Sequence, residues 1–208
     1  GCQKMANSLL NVLVTLGAVL SFVMTGIYFA FSNFIMRSLN AVGYQEAISA
    51  MNSINREIVR PGFMLLFFGS SFTALLVLIL ILFFDSAPFS GVLIIGSLLY
   101  LIGMFGCTAV FNVPLNNRLM AAVGSGKDLE REWSYYLKKW TRWNHIRTIC
   151  CAMSGLLYLC SLGLTLGCVM HIGGSPPNYQ RCQLFLGNLA SKRRYEEIKD
   201  SPDSTVSS

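Results

Sequence analysis

Asparagine and arginine recur at the ends of the long apolar stretches of this chain, where few other polar groups occur. Asn144 and Arg147 lie at i and i+3, and with Trp140 and Trp143 they share one face of a predicted helix. An amide offers donors and an acceptor, and a guanidinium offers donors only, so together they can hold a carbonyl oxygen or an anion. Similar residues stand near two other segment ends: Asn52, Asn55, Arg56, Arg60, Asn112, Asn116, Asn117 and Arg118.

A simpler interpretation applies to each of these residues taken alone. Arginine and tryptophan commonly mark a membrane interface, where the long side chain reaches water. An arginine within a span is costly unless it is paired or hydrated. The grouping of Asn with Arg at three segment ends favours an anion- or carbonyl-binding pocket, and both interpretations stay open.

Four uncharged stretches predict the elements that must position these side chains. They cover about residues 9–36, 63–84, 87–113 and 146–170, and each is long enough to cross a bilayer as a helix. Only 12% of the residues are charged, against about 25% in soluble domains. We therefore predict an all-α, four-transmembrane-helix bundle in a multi-pass integral membrane protein.

The segments between and after the spans complete the predicted architecture. Apolar residues at helical spacing predict a short amphipathic helix between spans one and two, and Pro61 opens span two. Gly124-Ser125-Gly126 breaks the chain, after which an extended last helix runs from Asp128 to about Val169. Asp85–Pro88 is predicted to be a tight turn. Residues 1–172 are thus expected to form the bundle, and residues 173–208 a polar, disordered tail.

Antiparallel spans bring the ends of spans one and three to the starts of spans two and four. We call this face of the bundle the mouth. The grouped Asn and Arg residues are all predicted to meet there.

Several motifs carry a resemblance to a known family. They are Gly26–Ser32, Ala50–Asn55 with Pro61–Phe63, Asn112-Val113-Pro114-Leu115-Asn116 and Trp140–Arg147. Over about residues 9–170 the chain resembles the anthrone oxygenase-like family of small integral membrane proteins. The resemblance implies a four-helix membrane bundle. Characterised members oxidise an anthrone to an anthraquinone, apparently without metal or flavin. It therefore implies a cofactor-independent monooxygenase acting on an aromatic or polyketide-like substrate, with no cofactor and no metal site.

Such chemistry needs a base, donors for an oxyanion and an apolar slot for flat rings. Removing the acidic C–H proton beside a carbonyl gives an enolate that reacts with O₂ directly. His145 is the predicted base, because imidazole exchanges a proton near neutral pH. Asn144 and Arg147 complete the predicted catalytic set. The predicted substrate-binding residues are Tyr28, Asn55, Arg56, Arg60, Phe63, Asn112, Asn116 and Trp143.

Two other functions fit the same sequence. The chain could be a non-catalytic membrane adaptor or assembly protein, or a carrier of small molecules or lipids. The expected partners are the lipid bilayer, an apolar aromatic small molecule and a second copy of the chain, packed through Gly163 and Gly167. The seven cysteines show no metal-binding spacing, and nucleic acid is not an expected partner.

The charges leave the orientation in the membrane open. If the arginines Arg56, Arg60, Arg118 and Arg147 are assigned to the pocket, equal numbers of Lys and Arg flank the two faces, and the positive-inside rule favours neither orientation. A tyrosine sorting or docking signal at Tyr195–Ile198 would require cytosolic termini.

Overall fold

The computed structural model describes residues 2–84 and 89–171. It contains seven α-helices in these ranges: α1 Cys2–Ala30, α2 Met36–Ala41, α3 Tyr44–Glu57, α4 Pro61–Phe84, α5 Ser90–Leu98, α6 Val113–Ala122 and α7 Leu129–His171. Three π-helical segments join them: Phe31–Ile35, Leu99–Gly106 and Thr108–Asn112. The predicted turn Asp85–Pro88 and the tail 173–208 lie outside the described residues.

Four continuous helical stretches are long and apolar enough to cross a membrane: Asn7–Ala41, Pro61–Phe83, Ser90–Ala122 and Leu129–Gly167. The predicted all-α fold with four spans is confirmed. The helices are longer than the predicted spans, because the prediction counted only uncharged residues and helices continue past the charged ones. The last helix has 43 residues, about 65 Å, and so exceeds the ~40–45 Å of a whole bilayer.

The short amphipathic helix between spans one and two is also confirmed. Helix α3 follows Gly43, whose φ of 99° suits glycine, and it buries Ala47, Ile48 and Met51 on one face. It ends at Glu57, and Pro61 begins α4. This placement lays α3 against the mouth ends of the long helices.

Two of the π-helical segments lie near the mouth. Pro114 has no N–H, and its ring clashes with the carbonyl four residues earlier in a regular α-helix. The turn before it, Thr108–Asn112, is π-helical. Phe31–Ile35 forms a comparable wide turn near the end of span one. Such turns shift the direction of the side chains that follow them, and they are frequent at functional sites.

Each long helix packs against its neighbours in the sequence, and the last one packs against the first. Two hydrogen bonds fix the register between span one and α7. Trp133 Nε1 donates to Asn40 Oδ1 at 2.9 Å, and Asn144 Nδ2 donates to Ser32 Oγ at 2.6 Å. The core forms three layers along the bundle, and the layer at the mouth joins α2, α3, α6 and α7.

Candidate functional site

A cavity of about 510 Å³ opens at the mouth, between the end of α1, α3, the start of α4, the third span and α7. Its size falls in the range of small-molecule sites. Side chains at its floor, including Tyr28, Asn112 and Arg147, are buried, whereas Arg56 and Val59 at its edge are exposed. Most of the lining is apolar and aromatic: Ile27, Phe31, Met51, Ile54, Phe63, Phe67 and Phe105 are examples.

Arg147 is the buried charge of this cavity, with 4% of its surface exposed. Its guanidinium donates to Asn144 Oδ1 at 2.6 Å and to Thr108 Oγ1 at 3.2 Å. It also lies over the ring of Tyr28, with its Cζ 4.2 Å from the ring centroid, and 5.2 Å from that of Trp140. Within the described ranges no carboxylate pairs with it. Neutral groups alone therefore hold this cation.

Three residues that line the cavity carry buried donors without a protein acceptor in the described part of the chain. These atoms are Arg147 Nε, Trp140 Nε1 and Asn55 Nδ2. Leaving a buried donor unpaired costs about 1–3 kcal/mol. These three atoms have almost no accessible surface, so a ligand with acceptor oxygens could satisfy them only after the side chains turn toward the cavity. A negative charge on such a ligand would offset that of Arg147.

Asn144 holds Arg147 in place rather than lining the cavity. It is fully buried, and its Nδ2 donates to the Tyr28 carbonyl oxygen and to Ser32 Oγ, both at 2.6 Å. Its Oδ1 is thereby directed to Arg147. On the other side, Thr108 Oγ1 donates to the Met104 carbonyl oxygen at 2.7 Å and accepts from Arg147. The guanidinium is thus fixed between span one and the third span.

The cavity brings together most of the residues predicted from the sequence. Seven of them line it: Tyr28, Asn55, Arg56, Phe63, Asn112, Asn116 and Arg147. Asn116 accepts a hydrogen bond from Tyr136, and Asn112 donates to the Trp140 carbonyl oxygen. These contacts tie both asparagines to α7.

Three predicted residues lie elsewhere. Arg60 is exposed and forms an ion pair with Glu57 at 2.8 Å. Trp143 stacks on Phe111, with ring centroids 3.6 Å apart. His145 is exposed and lines a separate depression on the outside of the bundle. The catalytic role of His145 and the oligomer contact at Gly163 and Gly167 stay predictions.

The site predicted from the sequence leaves out two residues of the cavity. Thr108 holds Arg147, and Trp140, predicted on the same helix face as Arg147, lines the cavity and has a buried N–H without an acceptor among the described residues. Thr108 lies four residues before Asn112, a spacing that could have indicated it. Among the described residues no group of three or more His, Cys, Asp or Glu side chains is placed to hold a metal ion.

The fold and the cavity define a helical bundle of the multi-span type with a ligand-sized cavity that contains a buried arginine. A family model described as Anthrone oxygenase matches residues 63–170, more than half of the chain, so the chain belongs to that family. The match covers Asn112–Asn116 and Trp140–Arg147, whereas the motifs before residue 63 lie outside it. Comparisons with curated proteins and with solved structures gave no match.

Proposed function

We propose that this protein is a cofactor-independent oxygenase of a membrane, and that Arg147 holds the oxyanion of a flat, apolar carbonyl compound. The observation that carries the proposal is a buried arginine with no acid partner in the described structure, at the floor of an aromatic cavity. Membership of the anthrone oxygenase family supports the reaction class.

Arg147 favours the enolate form of such a compound. A cation in a site with little water interacts strongly with a developing negative charge, and it needs no reorganisation when it is already fixed. Asn144 and Thr108 supply that fixation. Trp140 and Asn55 line the same cavity, but their buried N–H groups would have to turn toward the ligand to bind its further oxygens.

The reaction is an oxidation of a CH₂ group by O₂. The C–H proton leaves, and the enolate passes electrons to O₂ to give, with one proton, a hydroperoxide. Loss of water from the hydroperoxide breaks the O–O bond and leaves a second carbonyl. One O₂ is consumed, one oxygen atom enters the product and the other becomes water.

Two candidates for the proton acceptor follow from the proposal. No carboxylate or imidazole is among the residues that line the cavity in the described ranges, so water at the exposed edge near Arg56 and Asn117 is one acceptor. The base predicted from the sequence, His145, is exposed and lines the separate depression, so a proton would have to reach it through a chain of water molecules around the bundle. His145→Gln distinguishes the routes: a loss of turnover supports His145, and retained turnover supports water.

The direct test is O₂ uptake and anthraquinone formation with anthrone as the probe, in purified protein and in protein-free lipid. Arg147→Gln should lower the enzymatic rate by about 100-fold or more, the typical cost of one oxyanion donor. Arg147→Lys should recover only part of the rate, because lysine lacks the planar fork. Arg142→Gln removes an exposed arginine five residues away and is the matched control. Equal rates for Arg147→Gln and the unaltered protein would refute the proposal.

A carrier function rests on the same cavity. Its lining includes the exposed apolar side chains Val59, Phe68 and Met120, through which a ligand can pass from lipid. Saturable binding of anthrone that Arg147→Gln abolishes, without O₂ uptake, would support the carrier. An adaptor would show neither binding nor uptake.

A further inference from the structure

The second depression, on the outer face between span one and α7, has a chemistry of its own. Its volume is about 660 Å³. Three exposed cations line it, namely Arg37, Lys138 and Arg142, and none of them forms an ion pair within the described residues. No acidic side chain is among the described lining residues. The charged side chains among the described lining residues are therefore all positive.

The register between the two helices brings these cations to one end of the depression. Asn40 is level with Trp133, and Ser32 with Asn144, so Arg37 is level with about residue 138. Arg142 lies one turn deeper, about 6 Å along the axis. Lys138, Thr141, Arg142 and His145 also share one face of α7 through their spacing.

The other end of the depression has no charged group in its described lining, but it includes Ser32 and His145 beside its apolar side chains. Ile146 and Ile149 line it, and Ile149 is 61% exposed. From Lys138 to Ile149 the helix rises by about 16 Å. The lining thus changes from charged to mainly apolar along the axis of α7, away from the mouth. An occupant of this depression thus needs a negative group at one end and a hydrocarbon chain at the other.

Thr141 adds a hydroxyl group between the cations. Its Oγ1 is buried and has no partner in the part of the chain that the structure describes, although threonines in helices commonly donate to a preceding carbonyl oxygen. The hydroxyl lies between Lys138 and Arg142 in the sequence and lines the same depression. As placed, the hydroxyl oxygen has almost no accessible surface, so it could donate to a phosphate oxygen held by those two cations only after a change of its χ1 rotamer.

We propose that this depression binds one anionic phospholipid, with the phosphate at Arg37, Lys138 and Arg142 and an acyl chain along Ile146 and Ile149. This requires that the four long helices lie in a membrane, and it is independent of the oxygenase reaction. Each basic side chain near an anionic membrane surface contributes roughly a five-fold change in affinity, so the three together contribute about 100-fold.

The test is a titration of delipidated full-length protein in detergent with phosphatidylglycerol and, separately, with phosphatidylcholine of the same acyl chains. Bound lipid is counted by native mass spectrometry. The variant Arg37→Gln/Lys138→Gln/Arg142→Gln should bind phosphatidylglycerol about 100-fold more weakly. The matched control Lys127→Gln/Arg131→Gln/Lys139→Gln removes equal charge from exposed positions outside the depression and should bind as the unaltered protein does.

Several outcomes would overturn the proposal. These are equal binding by both triple variants, equal affinity for the two lipids in the unaltered protein, and displacement of phosphatidylglycerol by inorganic phosphate. If the triple variant of the depression fails to fold, Thr141→Val is the deciding variant, because valine has nearly the shape of threonine and the substitution leaves the charge of the protein unchanged. It should weaken phosphatidylglycerol binding by about ten-fold, the value of one hydrogen bond to a charged group, and unchanged binding would contradict the site.

Discussion

Arg147 keeps its charge inside the bundle through neutral groups alone. It is held by the oxygens of Thr108 and Asn144 and by the rings of Tyr28 and Trp140. A cation over a desolvated ring gains about 2 kcal/mol, less than a buried charge needs. The hydrogen bonds of Arg147 must offset the rest of the desolvation cost. Residues whose only contact with the site is through Arg147 should therefore affect the stability of the protein as well as ligand binding.

Asn144→Leu should destabilise the protein by about 3–5 kcal/mol. The change removes the acceptor for Arg147 and the donor to Tyr28 and Ser32, and it leaves a buried charge without that support. Thermal unfolding in detergent measures the loss. Asn33→Leu is the control, because Asn33 is exposed. Similar unfolding temperatures for the two variants would contradict the role assigned to Asn144.

Tyr28 should act through its ring rather than through its hydroxyl. The ring lies under the guanidinium, whereas the hydroxyl donates to a weak acceptor, Met104 Sδ, at 3.4 Å. Tyr28→Phe should keep anthrone affinity within about three-fold, and Tyr28→Leu should lower it by about ten-fold, as the loss of a cation–π contact predicts. Equilibrium binding measures both, and equal losses would mean that the hydroxyl touches the ligand.

The sequence predicts which residues lie near the cavity better than it predicts which of their side chains point into it. Asn112, Asn116 and Arg147 stand out because polar groups are rare beside apolar spans. Trp143 and His145 flank Asn144 in sequence, but neighbours on a helix differ by about 100°, and only the packing of α7 decides which face meets the cavity. Sequence spacing alone could not choose that face.

At the scale of elements, Gly103 allows the third span to approach α7. A Cβ at this position would collide with the side chain of Cys150. Gly103→Ala should therefore destabilise the protein by about 1–3 kcal/mol, despite the higher helix propensity of alanine. Gly69→Ala, where a Cβ meets open space, should be neutral or stabilising.

Thermal unfolding compares these two variants, and Cys150→Ala in the Gly103→Ala background should restore part of the loss. Equal stability of Gly103→Ala and Gly69→Ala would show that the third span and α7 can move apart at Gly103 without a loss of stability.

A π-helical turn, Thr108–Asn112, precedes Pro114 in the third span. The spacing of the residues that line the cavity is nevertheless kept across it, because Thr108, Asn112 and Asn116 all line the cavity. The sequence marks Pro114 as a place where backbone bonding changes, but it does not tell whether the helix kinks, stops or widens. Here the helix continues, and Asn112 and Asn116 both line the cavity.

At the scale of the whole molecule, the structure changes the charge comparison between the two faces. Of the four arginines assigned to the pocket from the sequence, only Arg147 is buried, and Arg56, Arg60 and Arg118 are exposed. The mouth side then carries nine exposed basic residues: Arg37, Arg56, Arg60, Arg118, Lys127, Arg131, Lys138, Lys139 and Arg142. The terminal segments carry six Lys and Arg.

The positive-inside rule therefore predicts that the mouth faces the cytosol. A cysteine introduced at Ser125, in a background without reactive cysteines, should be labelled by an impermeant maleimide only after the membrane is opened. A tag after Ser208 should be accessible from the outside of intact cells or the lumen of vesicles. The opposite labelling would contradict the orientation. In the predicted orientation Tyr195–Ile198 lies on the non-cytosolic side and cannot act as a sorting signal.

The donor-rich floor around Arg147 has a consequence for the end of the proposed reaction cycle. A site that supplies positive charge and N–H groups, with no acid among its described lining residues, holds an anion more tightly than a neutral molecule. In the proposed reaction a substrate enolate would be retained, and the uncharged quinone that replaces it would lose that advantage and dissociate into the surrounding hydrocarbon. Discharge of the ligand, rather than the opening of a gate, would then clear the enzyme for its next turnover.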